Sequence, residues 1–292
     1  MNRRSQHLEE TEQLAKRLSE GDESLRIVDM RGKVVLKELR SGFQEALYLG
    51  ARVSYCSSHI PGAIYLDWTS DLADEDDPIP VQAAPSDKLE CILGSAGIGN
   101  EHAIVAYDDH PSSQFATRLW WLLRYYGHDN VRILDGGWKK WLSESREVST
   151  NEPMRSPASF TARTRQELRI TADQLHSLIN DPELIILDAR DEGQFTGRVC
   201  RGGRGGHIPG AISLPRERLM TPEGSFHSLE KLQELAAELG ITSEKRVVAY
   251  CNGGVAATSA LFALSMLGFQ NYSNYDGSWN EWNLREDLPV EI

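Results

Sequence analysis

Cys251 lies in a setting that can turn a thiol into a nucleophile. An apolar run, residues 247–250, precedes it, and Gly253 and Gly254 follow before helix-forming residues begin. A thiol between a strand end and a helix start faces backbone N–H groups and the positive end of the helix dipole, and both stabilise a thiolate. The two glycines let the backbone curl around the sulfur. We therefore predict a reactive cysteine here rather than a buried structural one.

The elements that must hold this cysteine alternate along the chain. Residues 184–188 and 247–250 have the composition of short buried strands. Residues 229–239 and 256–267 have the apolar spacing of helices. This alternation favours an α/β fold with a mainly parallel sheet flanked by helices, in which ligands bind at the C-terminal ends of the strands. Cys251 falls at such an end.

The chain repeats itself once. Four features recur in the same order in both halves: an aspartate that ends a strand (Asp29, Asp188), His-Ile-Pro-Gly-Ala-Ile (from His59 and from His207), Val-Ala-Tyr before residue 108 or 251, and Asp-Gly-x-Trp-x-x-Trp (from Asp135 and from Asp276). Ordered matches of this length indicate a duplicated domain. We assign residues 1–150 to an N-terminal domain, 151–165 to a linker and 166–292 to a C-terminal domain.

The two halves differ at the reactive position. Asp108 stands where the second half has Cys251. A carboxylate has no thiol chemistry, and with Asp109 beside it the position repels anionic substrates. The N-terminal domain is therefore predicted to be catalytically silent and to form one wall of an interdomain cleft.

The amino-acid composition limits the possible binding partners and the cellular location. The 292 residues include 31 basic and 43 acidic side chains, a formal charge of −12, which disfavours binding to nucleic acid or to anionic membranes. No stretch is long enough for a membrane span and the polar N-terminal segment lacks a signal-peptide core, so we expect a cytoplasmic protein. The four cysteines form no Cys-x-x-Cys pair and the eight histidines show no ligand spacing, so we expect reduced thiols and no metal.

Together these motifs resemble the two-domain rhodanese family, the thiosulfate and 3-mercaptopyruvate sulfurtransferases, over nearly the whole length. The resemblance implies two tandem rhodanese-like domains, the second with a six-residue catalytic loop, here residues 251–256. It implies that Cys251 takes a sulfane sulfur from a small donor, holds it as a persulfide without a metal or organic cofactor, and passes it to cyanide or a thiol. A thioredoxin-like reductant is one such thiol partner.

The chain just after the cysteine would hold the transferred sulfur. Its backbone N–H groups would bind the terminal sulfur of the persulfide and the leaving charge, as an oxyanion hole binds oxygen. These groups belong to Asn252, Gly253, Gly254, Val255, Ala256 and Ala257.

The loop departs from both patterns of the family, which leaves the donor open. Thiosulfate enzymes resemble Cys-Arg-Lys-Gly-Val-Thr and mercaptopyruvate enzymes Cys-Gly-Ser-Gly-Val-Thr, whereas Asn252 and Gly253 carry neither the charges nor the hydroxyl. His59 matches a histidine of the family, but residues 48–58 before it contain no aspartate to complete the triad. Gln194 stands where the family has a donor-binding arginine.

Three arginines in the glycine-rich segment 197–206 could replace that arginine. Arg198, Arg201 and Arg204 are predicted to lie in a mobile loop and, with Gln194, to bind the donor, because guanidinium groups bind sulfonate and carboxylate bidentately.

Other residues near these motifs are assigned supporting or incidental roles. Asp188 and His59 are predicted to support the site from behind, Asp188 by accepting neighbouring loop N–H groups. Cys200 is treated as an incidental thiol.

A cysteine phosphatase and a sulfur carrier are the two alternatives to a sulfurtransferase. A cysteine phosphatase needs an arginine six residues after its cysteine, and here that residue is Ala257. A noncatalytic sulfur carrier or regulatory module, which accepts persulfide from a partner protein, stays open because of Gln194.

Overall fold

The computed structural model describes residues 3–292, and its N-terminal domain is built on a five-stranded sheet. The strands of that sheet are β1 (Leu8–Glu9), β2 (Leu25–Asp29), β5 (Ala63–Tyr65), β6 (Ala103–Tyr107) and β7 (Val131–Leu134). A hairpin of β3 (Gly32–Arg40) and β4 (Phe43–Gly50) is inserted after β2. The helices are α1 (Arg3–His7), α2 (Thr11–Ser19), α3 (Arg52–Ser57), α4 (Ser86–Ser95), α5 (Gln114–Tyr125) and α6 (Gly137–Ser143).

The C-terminal domain repeats this plan. Its sheet contains β8 (Arg169–Ile170), β9 (Leu184–Asp188), β11 (Ile212–Ser213), β12 (Arg246–Tyr250) and β13 (Tyr272–Tyr275), while β10 (Cys200–Arg201) lies apart from it. The helices are α7 (Ala172–Leu178), α8 (Glu192–Phe195), α9 (Leu229–Glu238), α10 (Ala257–Leu267) and α11 (Ser278–Trp282), with 3-10 helices at Gln166–Leu168 and Arg216–Leu219.

The two sheets have the same strand order. They run β1-β7-β6-β2-β5 and β8-β13-β12-β9-β11, and every neighbouring pair within them is parallel. The predicted α/β class, with two tandem domains of parallel sheet and flanking helices, is confirmed. Cys251 follows β12, the central strand of its sheet.

The helices are short. The longest in residues 3–292, α5, has 12 residues. None of the helices in that range combines the length and the apolar character that a bilayer span requires.

In each domain a buried ion pair lies at the C-terminal end of the strand next to the central strand, which is β2 in the first domain and β9 in the second. In the C-terminal domain the Arg190 guanidinium contacts both carboxylate oxygens of Asp188 at 2.6–3.0 Å, and the Tyr250 hydroxyl donates to the same carboxylate at 2.6 Å. The Arg190 side chain also lies 4.4 Å from the ring centroid of Trp279. The equivalent groups in the N-terminal domain are Asp29, Arg31, Tyr107 and Trp138.

The domains pack through α5 and α10, the helices that start after positions 108 and 251. Thr117 Oγ1 lies 2.9 Å from Thr258 Oγ1 across this contact. Beside it, Arg118 Nη1 donates to Asp276 Oδ1 at 2.5 Å, with both side chains at most 2% exposed. The same guanidinium donates to the carbonyl of Gly254 at 3.2 Å, so the interdomain ion pair also holds the loop after Cys251.

The repeated Asp-Gly motifs join the domains from both sides. Asp276 Oδ2 accepts the N–H of Ala83 at 2.8 Å, and Asp135 Oδ1 accepts the N–H of Phe226 at 3.0 Å. Each aspartate thus caps a loop of the opposite domain, which orients the two domains by a reciprocal pair of contacts.

The inserted hairpin reaches across to the C-terminal domain. β10 pairs with β4 in parallel and forms a small sheet in the order β10-β4-β3. The Asn280 side-chain amide donates to the Tyr48 hydroxyl at 3.1 Å. Segment 197–206, predicted to be a mobile loop, is therefore anchored by strand pairing to the other domain.

The segment assigned to a linker lies against the N-terminal domain. The N–H groups of Ala158 and Arg163 donate to the carbonyls of Gly94 and Tyr126 at 2.9 Å each.

We predict that Arg118→Met lowers the free energy of unfolding by about 3 kcal/mol, because it leaves the buried Asp276 carboxylate without its main counterion. Urea denaturation followed by circular dichroism measures the change. Lys231→Met is the control: Lys231 forms an exposed pair with Glu234 on α9, and its loss should change stability by less than about 0.5 kcal/mol. Equal effects of the two substitutions would contradict the assigned role of the interdomain pair.

Candidate active site

Cys251 is fixed at the junction of β12 and the loop that leads into α10. The residue is 3% exposed. Its N–H donates to Ser278 Oγ at 3.1 Å and its carbonyl accepts the N–H of Trp279 at 3.0 Å. These contacts to the start of α11 hold the backbone, while the residue itself lines a cleft.

The residues after Cys251 leave their N–H groups available, and we call residues 252–257 the amide loop. None of its six backbone N–H groups donates to another group of the described chain. Gly254 has φ +72°, and a Cβ there would lie 2.6 Å from the carbonyl oxygen of Asp276, so only glycine fits. Such a run of free amides ahead of an 11-residue helix favours an anionic atom on the cysteine.

The equivalent junction in the N-terminal domain is filled by a side chain. There the Asp108 carboxylate accepts the N–H groups of His110, Phe115 and Ala116 at 2.8–2.9 Å. Burial raises the pKa of Asp108 to about 7, although these hydrogen bonds oppose the shift. The N-terminal domain thus fills this junction with its own side chain, whereas the N–H groups after Cys251 have no partner within residues 3–292.

Both domains form the walls of the cleft, which has a volume of about 140 Å³. The N-terminal domain contributes residues from the hairpin, from the following loops and from the start of α5: Val34, Leu36, Tyr48, Trp68, Val81, His110 and Gln114. The C-terminal domain contributes Arg201, Arg216, Cys251, Asn252, Gly253, Val255 and Ala256. The N-terminal domain therefore forms one wall of the cleft.

Two guanidinium groups make the cleft cationic. Arg201 has no hydrogen-bond or ionic partner within residues 3–292, and burial, with Arg216 nearby, lowers its pKa. The Nε atoms of both arginines are buried and unpartnered in the same described range. A charged group that is half-buried without a partner indicates a ligand of opposite charge.

His110 adds a neutral donor to this wall. Its Nδ1 accepts the N–H of Ser112 at 3.2 Å, which leaves the proton of the neutral ring on Nε2. Burial, together with Arg216 and Lys139, lowers the pKa of His110 to about 4. The ring is therefore uncharged at neutral pH.

Of the predicted donor-binding arginines, only Arg201 lies at the cleft. Arg198 lies outside the cleft, where its side chain is 67% exposed and contacts Thr196 and Glu192. Arg204 donates to four backbone carbonyls around the end of α11, so its charge is used to hold the C-terminal segment: Trp282, Asn283, Arg285 and Leu288. The structure therefore places neither Arg198 nor Arg204 at the cleft, and their role in donor binding stays a prediction.

The other predicted residues are buried away from the thiol. Gln194 on α8 hydrogen bonds to Asp191. His59 in the N-terminal domain contacts the carbonyls of Tyr55 and Asn151. Neither lines the cleft. Asp188 accepts the N–H of Arg190 at 2.9 Å, and its supporting role at the site stays a prediction.

Four polar cleft residues were not predicted from the sequence and belong to no recurring motif: Tyr48, His110, Gln114 and Arg216. Tyr48 lies in the inserted hairpin, His110 lies in the loop after Asp108, and Gln114 begins α5. In the sequence, the only indication of their role is that these segments differ between the two repeats. They reach Cys251 only when the chain folds across the domain boundary.

A family comparison matches both domains. The model of the rhodanese-like domain matches residues 10–144 and again residues 171–285.

Individual relatives cover most of the chain. A Mycobacterium tuberculosis protein, provisionally named a thiosulfate sulfurtransferase, is 35% identical over 82% of this chain and 88% of its own. The sulfur carrier protein TtuD of Thermus thermophilus is 31% identical over 81% of this chain and 86% of its own.

Solved structures agree on the fold. The 3-mercaptopyruvate sulfurtransferase SseA of Escherichia coli superposes with a TM-score of 0.81 at 26% identity, over 93% of this chain and 98% of SseA. EanB, in its complex with ergothioneine, gives a TM-score of 0.85 at 21% identity over 99% of this chain and 71% of EanB.

We predict that His110 makes stability fall in mild acid. Its pKa of about 4 in the folded state lies below the usual value near 6.5, so the unfolded chain binds more protons between these values. Relative to His110→Asn, the free energy of unfolding should drop by up to about 3 kcal/mol from pH 7 to pH 4. Urea titrations at several pH values test this, with the exposed His176→Asn as the control. Parallel curves for the native chain and His110→Asn would contradict it.

Proposed function

Because this chain belongs to the rhodanese-like family, we propose that it is a sulfurtransferase in which Cys251 carries a sulfane sulfur from a small anionic donor to a thiophilic acceptor. The observation that carries this proposal is the surrounding of Cys251 by anion-binding groups that have no protein partner. These are the N–H groups of the amide loop and the guanidinium of Arg201. No metal or organic cofactor has a role in the reaction we propose.

With thiosulfate as donor, the first step is a displacement at sulfur. The Cys251 thiolate attacks the outer sulfur, a new S–S bond forms, and the S–S bond of thiosulfate breaks. Sulfite leaves as a dianion with the electron pair, and the persulfide keeps one negative charge on its outer sulfur. The amide loop binds that sulfur, while Arg201, Arg216 and the Nε2–H of His110 bind the sulfite oxygens.

The second step regenerates the enzyme. Cyanide or a thiolate attacks the outer sulfur, the persulfide S–S bond breaks, and Cys251 leaves as the thiolate. Cyanide gives thiocyanate, and a thiol, such as that of a thioredoxin-like protein, gives its own persulfide.

Thiosulfate suits the cleft better than 3-mercaptopyruvate does. Loss of sulfur from mercaptopyruvate leaves an enolate that must be protonated, whereas sulfite leaves as a stable anion. His110 is neutral at pH 7, and Arg201 and Arg216 do not give up protons. Cations that neutralise a departing dianion favour thiosulfate as the donor.

A sulfur carrier is the second candidate. Gln194 in place of the donor-binding arginine and the relative named a sulfur carrier protein both favour it. In that case Cys251 receives its sulfur from another protein and does not turn over small donors.

We predict that incubation with thiosulfate adds one sulfur, about 32 daltons, to the intact protein through the persulfide on Cys251. Intact mass spectrometry reads this directly, and Cys251→Ser should gain no mass. Cys200→Ser is the matched control and should load as the native protein does. Loading of Cys251→Ser would remove this thiol from the mechanism.

We predict that Arg201→Gln and Arg216→Gln each raise KM for thiosulfate about tenfold, since each removes a charged hydrogen-bond donor worth about 1.5 kcal/mol. Thiocyanate formation from thiosulfate and cyanide is the assay. Arg198→Gln, outside the cleft, should stay within about twofold of the native KM. Equal KM for all four proteins would exclude an arginine-bound donor.

The same assay separates the two candidates. An enzyme turns over thiosulfate or 3-mercaptopyruvate in the presence of cyanide. A carrier shows no turnover with either donor, but its Cys251 accepts sulfur from a persulfide-bearing protein.

A further inference from the structure

The inserted hairpin carries the largest group of exposed apolar side chains in residues 3–292. Of the eleven large apolar side chains that are exposed in residues 3–292, five lie on β3 and β4: Val35, Leu36, Leu39, Leu47 and Leu49. Such clustering is unusual for a surface without a partner. Leu36 also lines the cleft and Leu39 lines a neighbouring groove, whereas Val35 and Leu47, which pair across the hairpin, lie on its other face. The apolar surface of the hairpin thus reaches the wall beside Cys251.

A second groove continues from the cleft along this hairpin, and we call it the rim groove. It shares Tyr48 and Arg201 with the cleft, and its volume is about 480 Å³. Its apolar lining comes from the hairpin and from the end of the chain: Leu39, Phe43, Ala46 and Leu284. The rim groove thus leads from open surface to the wall beside Cys251.

The small sheet that carries the rim groove is basic in an otherwise acidic chain. At the rim groove itself, Arg201 belongs to the lining and the Arg40 guanidinium lies 3.8 Å from the ring centroid of Phe43, another lining residue, against one lining carboxylate, that of Glu45. The whole chain has a formal charge of −12. An acidic partner is therefore attracted to this sheet and repelled from the rest of the surface.

The burial of Cys251 determines the shape of such a partner. At 3% exposure, in a cleft of about 140 Å³, the thiol is out of reach of a cysteine on a flat folded surface. A thiol can arrive only on a slender, extended arm. The rim groove has the apolar lining and the direction to guide one.

We propose that the rim groove docks an acidic, extended arm of an acceptor protein that carries a cysteine thiol near its end. This rests on the proposed persulfide chemistry and names its acceptor. The arm's thiolate attacks the outer sulfur of the Cys251 persulfide, the S–S bond to Cys251 breaks, and Cys251 leaves as the thiolate. The arm departs as a persulfide, so charge and sulfur balance without another reactant.

Other occupants of this surface fit less well. A second copy of the chain would bring the lysines of two β3 edges together, and lysines on an edge strand are a common protection against self-pairing. An anionic membrane would be repelled by the net charge, and it offers no thiol.

The test uses the full chain with Cys251 loaded by inorganic polysulfide, the persulfide being confirmed by mass before an acceptor is added. The acceptor probe is a ten-residue peptide of alternating glutamate and valine that ends in cysteine. A peptide with lysine in place of glutamate and the small thiol dithiothreitol serve as comparisons. We expect transfer to the acidic peptide to be at least tenfold faster than to the basic one.

Two substitutions at the rim should act on the peptide alone. Arg40→Glu and Leu39→Ser should each slow transfer to the acidic peptide at least fivefold and leave transfer to dithiothreitol within twofold. The matched controls are Lys231→Glu on α9 and Leu142→Ser on α6, both at exposed positions away from the cleft. Neither control should slow the peptide reaction.

Several results would overturn the proposal. Equal rates for the two peptides, or equal effects of Leu39→Ser and Leu142→Ser, would remove the rim groove from acceptor docking. Dimerisation in sedimentation experiments, or cosedimentation with anionic phospholipid vesicles, that Leu39→Ser abolishes would assign the surface to a second copy or to a membrane. A Cys251 that takes up no sulfur from any donor would refute the proposed function itself, and the docking role with it.

Discussion

Backbone N–H groups at the junction between the central strand and the following helix need an acceptor, and the rest of the site is built around that constraint. In the N-terminal domain the Asp108 carboxylate accepts three of them. In the C-terminal domain Cys251 stands at the equivalent position, and the N–H groups of residues 252–257 have no partner within residues 3–292. One residue therefore decides whether the protein itself fills this junction.

Duplication gives the N-terminal domain a structural role at the site. The Arg118–Asp276 pair joins the domains and also holds the carbonyl of Gly254, so domain packing and the amide loop share one buried network. The loop after Asp108 and the start of α5 place His110 and Gln114 in the cleft that Cys251 lines. The inserted hairpin covers the remaining side and carries the apolar rim. A single domain would leave Cys251 in an open site without these groups.

Much of the site followed from local patterns in the sequence. The position of Cys251, the glycines of its loop and the supporting Asp188 depend on the backbone conformation of a few consecutive residues, and such conformations are encoded locally. The sequence does not determine which arginines of segment 197–206 face the cleft, because a guanidinium binds backbone carbonyls as readily as it binds a substrate. Arg204 lies against the end of α11 and Arg201 against the cleft, although only two residues separate them.

The sequence by itself determined the duplicated α/β fold and the position of Cys251 between a strand and a helix, since internal repeats and strand-turn-helix patterns do not depend on distant contacts. Tertiary structure alone decided which cations face the thiol, how the hairpin joins the two domains, and that His110 and Arg216 belong to the cleft. These residues are far apart along the chain, and they meet only because two separately encoded domains bury α5 against α10.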